Sequence, residues 1–493
     1  MMGDVSDLMI DNSDDNTINE LSNDLSDAVS NENVNDDINS GKTVVNKDQS
    51  DSKLSANSFS DIQTKIDNTT EKGTVELSGT YKATSDKNIT ISKSITIKGN
   101  SKATLDFNKL PPCIVVKKSS TLTFENINFI NFKDINYYDE YSDTGLIIME
   151  KNSKVTLNLI LKNCNFTNNL GSLIIATKLT MTNCNVKNTR SYSSMIFFNN
   201  GTIKDSKFIN NEGVLHFGLI DSYNKVTCTN CVFTKNSVSD HGLGGAIYAK
   251  TAVCYDCIFT SNFADDGGGA IYASTVYCKN CKFSANNVNY GEGGAILGDK
   301  ITCVTCNFTS NNAIDMSYGG AIFSWHTLNC RDCRFVKNYA EDSGAVGARE
   351  NMDLKNCKFI QNSAESFGAV SCDKKLTCKG CSFIKNTGFG AIYSQTAVLT
   401  KCKFQKNTKG AIFGNKIIIN SKKRFKNAML DNSFKKMELF KIKVSPKSIR
   451  YHSGKKITIK VTFNKKPAGW RQIELYIIYA KSKKNCQRML FEF

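Results

Sequence analysis

Apolar and polar residues alternate in short blocks along the central part of the chain. The apolar members of one block are Ile271, Val276, Cys278, Cys281 and Phe283, and polar residues lie between most of them. Alternation with a period of two is typical of a β-strand that buries one face. Gly and Asn cluster between the blocks, as expected for tight turns. The pattern therefore predicts many short strands separated by turns.

The blocks belong to an internal repeat that runs from about Asn163 to Asn407. Each copy reads as Asn or Asp, then Cys, any residue, Phe, two residues, Asn, a short turn and Gly-Ala-Ile, and most steps are 24 to 27 residues. The Cys-x-Phe unit begins at Cys164, Cys231, Cys257, Cys281, Cys306, Cys333, Cys357, Cys381 and Cys402, with weaker copies at Cys184 and Ser206. The Gly-Ala-Ile unit, which becomes Gly-Ala-Val twice, begins at Gly245, Gly269, Gly294, Gly320, Gly344, Gly368, Gly390 and Gly410.

A repeat of this length suits one coil of a solenoid. A single coil cannot bury its apolar face, so we expect stacked coils joined by parallel ladders about 4.8 Å apart. The alternative, a β-propeller, needs four strands in each blade and usually a longer repeat. The predicted fold is therefore all-β, a right-handed single-stranded parallel β-helix of about 15 coils. Asparagines at one turn should stack into a ladder of side-chain amides, namely Asn163, Asn183, Asn230, Asn280 and Asn356.

Charge and alternation divide the chain into segments. The first 51 residues hold 13 Asp or Glu against two Lys and no aromatic residue, a composition that cannot bury a core. Residues 416–493 hold 21 Lys or Arg against four Asp or Glu, and the net charge of the whole chain is +17. The predicted segments are a disordered acidic segment at 1–57, the β-helix at 58–415, a linker at 416–440 and an incomplete immunoglobulin-like β segment at 441–493.

A short helix is predicted ahead of the first coil. In NSFSDIQTKIDN, Phe59, Ile62 and Ile66 share one helical face, and Ser60 and Gln63 have the spacing of a capping box. Such a helix would cover the open end of the solenoid, where unpaired strand edges would otherwise recruit other chains.

Six C-x-x-C pairs raise the question of metal binding; they start at Cys228, Cys254, Cys278, Cys303, Cys330 and Cys378. Their spacing resembles that of zinc sites. However, other coils carry Leu161, Met181 or Leu354 at the position of the first cysteine, and a leucine cannot bind a metal. Alternation places both cysteines inside, so we expect buried free thiols that pack as small apolar groups. Disulfides between neighbouring coils and a metal or Fe–S site remain alternatives.

The repeats carry a family resemblance. FTKNSVSDHGLGGAIYA and FTSNFADDGGGAIYA resemble the repeats of chlamydial polymorphic outer-membrane proteins, which implies a pectin-lyase-like β-helix. The opening FSDIQTKIDNTTEKGTVELSGTY, followed by LTFENINFINF, looks like the adhesin-like surface proteins of methanogenic archaea. The resemblance covers residues 58–415. It implies a secreted or wall-attached protein with a signal peptide and C-terminal immunoglobulin-like repeats.

The two ends of the chain depart from that pattern. The start, MMGDVSDLMIDNSDD, shows no signal peptide. After residue 441 only about half of the roughly 100 residues of an immunoglobulin-like sandwich remain. A truncated or frame-shifted gene product is therefore expected. The longest apolar runs, such as 473–480, are shorter than the roughly 20 residues of a membrane span, so no transmembrane segment is predicted.

Candidate catalytic groups lie in the turn between the repeat's Asn and its glycines. A polysaccharide lyase or glycoside hydrolase needs carboxylates that converge on one face, and the candidates are Asp240, His241, Asp265, Asp266 and Glu292. Their counterparts in other coils are Ser317, Tyr318 and Ser343. We therefore interpret these positions as a variable, solvated loop and assign no catalytic, cofactor-binding or metal-binding residue. His216, His326 and His452 are interpreted as structural.

The sequence favours a non-enzymatic cell-surface adhesin or wall-associated scaffold. We expect it to bind glycans or proteins of a host or neighbouring cell, or a cell-wall polymer, through the exposed turns, with contact at Tyr290, Tyr318, Asp265 and Glu292. An extracellular or cell-surface location follows from the family resemblance. No recognition motif supports nucleic acid as a partner. The alternative function is a carbohydrate-active enzyme, a polysaccharide lyase or glycoside hydrolase, on a β-helix.

Overall fold

The chain folds into stacked parallel coils. The structure, a computed structural model, describes residues 57–419 except 112, 135–144, 151–153 and 316, and beyond them the backbone of the strands named below. It is nearly all β, a β-solenoid of about 14 turns with very little helix. The predicted all-β parallel β-helix is therefore confirmed. Most of the predicted segment 1–57 and His452 lie outside the described residues.

One coil contains three strands. In a central coil these are Ile247–Tyr255, Ile258–Thr260 and Phe263–Ala264, here called the long, middle and short strands. Asp256 and Ser261, at the two corners between them, have φ of 54° and 53°. This left-handed conformation turns the chain within one residue, and Asn and Asp adopt it more readily than other residues with a side chain.

Each strand pairs in parallel with its equivalent in the next coil. The long strands, or halves of them, are Thr74–Leu77, Ile89–Ile91, Ile95–Asp106, Ile114–Val116, Ser120–Ile130, Ile147–Met149, Leu157–Lys162, Ile174–Thr182, Ile196–Lys204, Ile220–Thr229, Ile247–Tyr255, Ile271–Lys279, Ile296–Val304, Ile322–Arg331, Val346–Ala348, Asn351–Lys355, Val370–Lys379, Ile392–Thr400 and Ile412–Ile419. The middle strands are Asn57–Ser58, Thr80–Lys82, Asn165–Thr167, Asn185–Lys187, Lys207–Ile209, Val232–Thr234, Ile258–Thr260, Lys282–Ser284, Asn307–Thr309, Arg334–Val336, Lys358–Ile360, Ser382–Ile384 and Lys403–Gln405. The short strands are Arg190–Ser191, Glu212–Gly213, Ser237–Val238, Phe263–Ala264, Asn287–Val288, Asn312–Ala313, Tyr339–Ala340 and Ser363–Ala364.

The phenylalanine of each repeat stacks inside the solenoid. The rings of Phe259 and Phe283 lie 4.8 Å apart and almost parallel, and those of Phe283 and Phe308 are equally close. The spacing of the rings equals that of neighbouring strands in a sheet, about 4.8 Å. The strand ladder therefore sets the ring spacing, and one Phe fills the interior in each coil from Phe208 to Phe404.

The second Asn of the repeat, in Phe-x-x-Asn, forms a buried amide ladder. The Nδ2 of Asn262 donates to the Oδ1 of Asn286 in the next coil, 3.0 Å away, and to the carbonyl of Phe233 in the previous coil, 2.9 Å away. Further members are Asn211, Asn236, Asn311, Asn338, Asn362, Asn386 and Asn407. The ladder satisfies polar groups that would otherwise be buried without partners.

The amide ladder predicted at the other corner is only partly correct. Asn183 does donate to Asn163 there, at 2.7 Å. Asn230 and Asn280 instead donate to Asp205 and Asp256. This corner is exposed, so carboxylates remain hydrated and can alternate with amides, whereas the buried ladder requires amides throughout.

The cysteines point inward, as predicted. All 18 cysteines among the described residues are free, and all but Cys113 and Cys402 are buried. Cys254 pairs in register with Cys228 and Cys278. Burial raises the pKa of Cys372 to about 11, which keeps that thiol protonated and unreactive at neutral pH.

A helix covers the first coil. It runs from Phe59 to Asn68 and buries Phe59, Ile62 and Ile66, as predicted. The capping box was predicted two residues too late: the helix begins at Phe59, and Ser58 and Asp61 form the box, in which the backbone N–H of Ser58 donates to the carboxylate of Asp61, 2.7 Å away. Gln63 therefore lies beyond the first turn, and its Oε1 accepts a hydrogen bond from the N–H of Thr90 on the edge of the first coil, 2.8 Å away.

The parallel stack ends in antiparallel strands. Ile412–Ile419, beyond the predicted boundary at 415, pairs antiparallel with Lys423–Leu430, which pairs in turn with Met437–Ser445. Further antiparallel pairs join Met437–Ser445 to Thr458–Phe463, Thr458–Phe463 to Lys466–Pro467, and Gln472–Ile478 to Cys486–Glu492. Lys423–Leu430 thus covers the open edge of the last long strand, which would otherwise be free to pair with other chains.

Candidate binding surface

The loops between the short strands and the Gly-Ala-Ile units form one side of the solenoid. This side, together with the outward residues on the first half of each long strand, is here called the turn face. Gly268 has a φ of 59°, and a Cβ at Gly269 would collide with the carbonyl oxygens of Gly294 and Asn287. Glycine is therefore required where the loops approach one another, and the loop residues before it are free to vary.

The loop residues singled out in the sequence meet between neighbouring coils. The Nδ1 of His241 lies 2.9 Å from the Oδ2 of Asp266, and this contact raises the pKa of His241. The rings of His216 and His241 stack with centroids 6.3 Å apart. Asn289 donates to Asp265 at 3.3 Å. His216 is therefore not isolated as expected, because coil stacking places it beside His241.

Aromatic side chains stack on the outward positions next to these loops. Tyr248 and Tyr272 pair in register, with nearly parallel rings 5.3 Å apart. Phe217, 42% exposed, packs its edge on Tyr248. Asp221 precedes Tyr248 in the same column and accepts a hydrogen bond from the Ser194 hydroxyl at 3.1 Å. Burial raises the pKa of Asp221 to about 6.

A second aromatic cluster surrounds Arg349. Its guanidinium lies 4.6 Å from the ring centre of Trp325 and within 6 Å of the ring centres of Phe323 and Tyr318. Its Nη2 also lies 3.7 Å from the Oε1 of Glu292. A guanidinium above aromatic rings is stabilised by their quadrupoles. We call these five residues the Arg349 cluster.

The carboxyls around Arg349 titrate above their usual range. Burial raises the pKa of Glu292 and of Asp373, and Arg349 opposes the rise at both. Tyr318 has a raised pKa through burial and a hydrogen bond with Asp342. The cluster thus combines apolar ring faces with planar hydrogen-bonding groups, the composition typical of small-molecule and sugar-sized sites.

Two of the four expected contact residues lie in the Arg349 cluster, namely Tyr318 and Glu292. Tyr290, 53% exposed, lies in the same loop as Glu292, and Asp265 lies in the loop of the preceding coil. The sequence reasoning missed Trp325 and Arg349. A signal for Trp325 existed, because the strand Ile322–Arg331 is one residue longer than the strand Ile296–Val304 and its register shifts there.

His326 lies beside a carboxylate of the next coil. It lies 3.9 Å from the carboxylate of Glu350, which Lys374 also contacts.

Among the described residues no group of three or more His, Cys, Asp or Glu is arranged to hold a metal ion. No helix in the described part of the chain has the length and apolarity needed to cross a bilayer.

Comparison with known proteins identifies the repeat. The family model of the Chlamydia polymorphic membrane protein repeat matches residues 230–250 and 256–274. These residues carry two Phe-x-x-Asn units and the loops of two neighbouring coils. No curated protein and no solved structure matches the chain. The chain therefore carries polymorphic membrane protein-like repeats on a β-solenoid.

Proposed function

We propose that this protein is a non-enzymatic, surface-exposed adhesin or wall-associated scaffold that binds glycans or proteins through its turn face. The match to the polymorphic membrane protein repeat supports an extracellular or cell-surface location. The similarity of residues 58–415 to archaeal adhesin-like proteins belongs to the same proposal. Its partners would be glycans or proteins of another cell, or a cell-wall polymer.

The Arg349 cluster is the observation that carries the proposal. Tyr, Trp and Arg are the residues that most often dominate binding energy, and here Tyr318, Trp325 and Arg349 meet on a framework held rigid by strand ladders. Aromatic faces can stack on the apolar faces of sugar rings, while Glu292 and Arg349 offer hydrogen bonds to hydroxyls. A repetitive framework can also display several weak sites at fixed spacing, so that avidity replaces affinity.

Binding to immobilised glycans and to whole cells tests the proposal. The full chain should bind saturably, and Trp325→Ala or Arg349→Ala should weaken binding about tenfold. Tyr277→Ala is the matched control, because Tyr277 faces outward on the second half of a long strand, away from the turn face. Thermal melting establishes that each variant is folded. Equal affinity in all four proteins would reject the turn face as the binding surface.

One observation favours the alternative, a carbohydrate-active enzyme. Glu292 and Asp373 both face Arg349 and both have a raised pKa, as an acid catalyst of glycoside hydrolysis would. Incubation with acidic and neutral polysaccharides, with and without calcium, distinguishes the two functions. New reducing ends or unsaturated products that are lost in Glu292→Gln, Asp373→Asn, Asp265→Ala or Asp266→Ala would establish the enzyme.

A further inference from the structure

Basic side chains gather on a second side of the solenoid, away from the turn face. They lie at the ends of the long strands, on the middle strands and at the adjoining corners of four consecutive coils. These residues, here called the basic face, are Arg331, Arg334, Lys337, Lys355, Lys358, Lys379, Lys385, Lys401, Lys403 and Lys406. All are exposed except Arg334, which is half-buried. The same elements carry two carboxylates, Asp332 and Asp353.

Within this face, cations stand directly above one another. Arg331, Lys355 and Lys379 are partners in register along successive long strands. Arg334 and Lys358 are partners along the middle strands. Neighbouring coils are about 4.8 Å apart, and like charges directly opposite each other destabilise a sheet. The Nε of Arg331 lies 3.6 Å from the Oδ2 of Asp332, but an exposed ion pair of this kind contributes little. The stacking of the three cations therefore remains electrostatically unfavourable.

In earlier coils the same column separates its cations. Thr229 and Tyr255 lie between Lys204 and Lys279, and Val304 lies between Lys279 and Arg331. From Arg331 to Lys379 no uncharged residue intervenes. Stacked cations are thus a feature of these coils rather than a general consequence of the repeat.

We propose that the basic face binds a linear anionic polysaccharide along the direction of coil stacking. A polymer with a sulfate or carboxylate about every 5 Å would place one anion opposite each coil. Its charges would relieve the repulsion between the stacked cations, and release of its counterions would add to the affinity. This surface is separate from the turn face, so either can fail its test without the other.

The composition of the basic face favours a polysaccharide over nucleic acid. Proteins that bind single strands generally stack the bases on aromatic side chains. The other outward positions on the second halves of these long strands and on the middle strands hold none: they are Thr327, Asn329, Asn351, Asp353, Lys375, Thr377, Thr396, Val398, Thr400, Val336, Ile360, Ser382, Ile384 and Gln405. The basic face therefore carries regularly spaced positive charges but no aromatic side chain on which bases could stack.

Heparin binding to the full chain tests the proposal, with neutral dextran as the uncharged control. The variant is Arg331→Gln, Lys355→Gln and Lys379→Gln combined. The matched control is Lys207→Gln, Lys235→Gln and Lys279→Gln combined, which removes the same charge from exposed positions outside the four coils. The control also accounts for the basic C-terminal region, which both variants retain.

The first variant should weaken heparin binding at least tenfold at about 0.1 M salt and reduce the slope of log K against log salt by about two to three. The control should change binding by less than twofold. Without heparin, the first variant should melt no lower than the unmodified protein, and heparin should raise its melting temperature less. Equal losses in both variants would overturn the proposal. The proposal would also be overturned if single-stranded or duplex DNA of equal charge bound as tightly as heparin and lost the same affinity in the first variant. That result would identify the basic face as a nucleic-acid surface.

Discussion

The side-chain amide of Asn286 donates a hydrogen bond to the Oδ1 of Asn311 in the next coil, 2.9 Å away. It also donates to the carbonyl of Phe259, and its own Oδ1 accepts from Asn262. Removing a partner from buried groups leaves each of them unsatisfied at about 1–3 kcal/mol. We therefore expect Asn286→Ala to lower the free energy of unfolding by about 3–5 kcal/mol, measured by urea denaturation.

Asn307→Ala provides the control for this prediction. Asn307 lies on the next middle strand but faces outward and is exposed. Its replacement should change the free energy of unfolding by less than about 0.5 kcal/mol. Similar effects of the two substitutions would mean that the amide ladder contributes little to stability.

The buried carboxyl of Asp221 should make stability depend on pH. Its pKa is raised by burial from 3.8 to about 6, so the folded state holds the proton more tightly than the unfolded state. The free energy of unfolding should therefore fall as the pH rises from about 4 to 6 and change no further above that range. Asp221→Asn should stabilise the protein at pH 8 by up to about 3 kcal/mol, and hardly at pH 4.

Denaturation of both proteins across this pH range measures the difference. Asp240→Asn is the control, because Asp240 lies in an exposed loop, and its replacement should not reproduce the stabilisation at pH 8. Equal stabilisation by Asp221→Asn at pH 4 and pH 8 would mean that ionisation of the buried carboxyl does not destabilise the native protein.

The interior could be predicted from the sequence because each coil repeats the same physical requirement. Cys278, Cys281 and Phe283 point inward since a period of two places them there, and the substitution of Leu354 for a cysteine indicates a packing role. The stacking of Phe259 on Phe283 follows from the strand spacing alone. A regular repeat in the sequence thus gives a regular stacking of side chains in the interior.

The turn face could not be predicted in the same way, because its contacts cross between coils of different sequence. Arg349 contacts Trp325 and Glu292 in earlier coils, and no residue spacing in the sequence predicts these contacts. The capping box was misplaced for a different reason: Ser60 and Gln63 have the same spacing as Ser58 and Asp61, and the helix begins at Phe59. Spacing alone does not reveal which of two possible capping pairs starts a helix.

Burial of the cysteines predicts their reactivity toward alkylating reagents. In the native protein, labelling of the 18 described cysteines should be restricted to the partly exposed Cys113 and Cys402, because the other described thiols are buried. Under denaturing, non-reducing conditions most of the 19 cysteines should react. Mass spectrometry counts the labels. A denatured count that rises only after reduction would indicate disulfides, and zinc in stoichiometric amount by elemental analysis would indicate a metal site.

The contact between His241 and Asp266 should be visible in the titration of the histidine. The carboxylate raises the pKa of His241 above 6.5, mainly through the hydrogen bond to Nδ1. The charged histidine should therefore favour the folded state at low pH, and this effect should be lost as the pH rises through the folded-state pKa. With only four histidines in the chain, NMR can follow each signal. Asp266→Asn should lower the pKa of His241 clearly and Asp240→Asn only slightly, whereas an unchanged titration in Asp266→Asn would show that the two loops do not meet in solution.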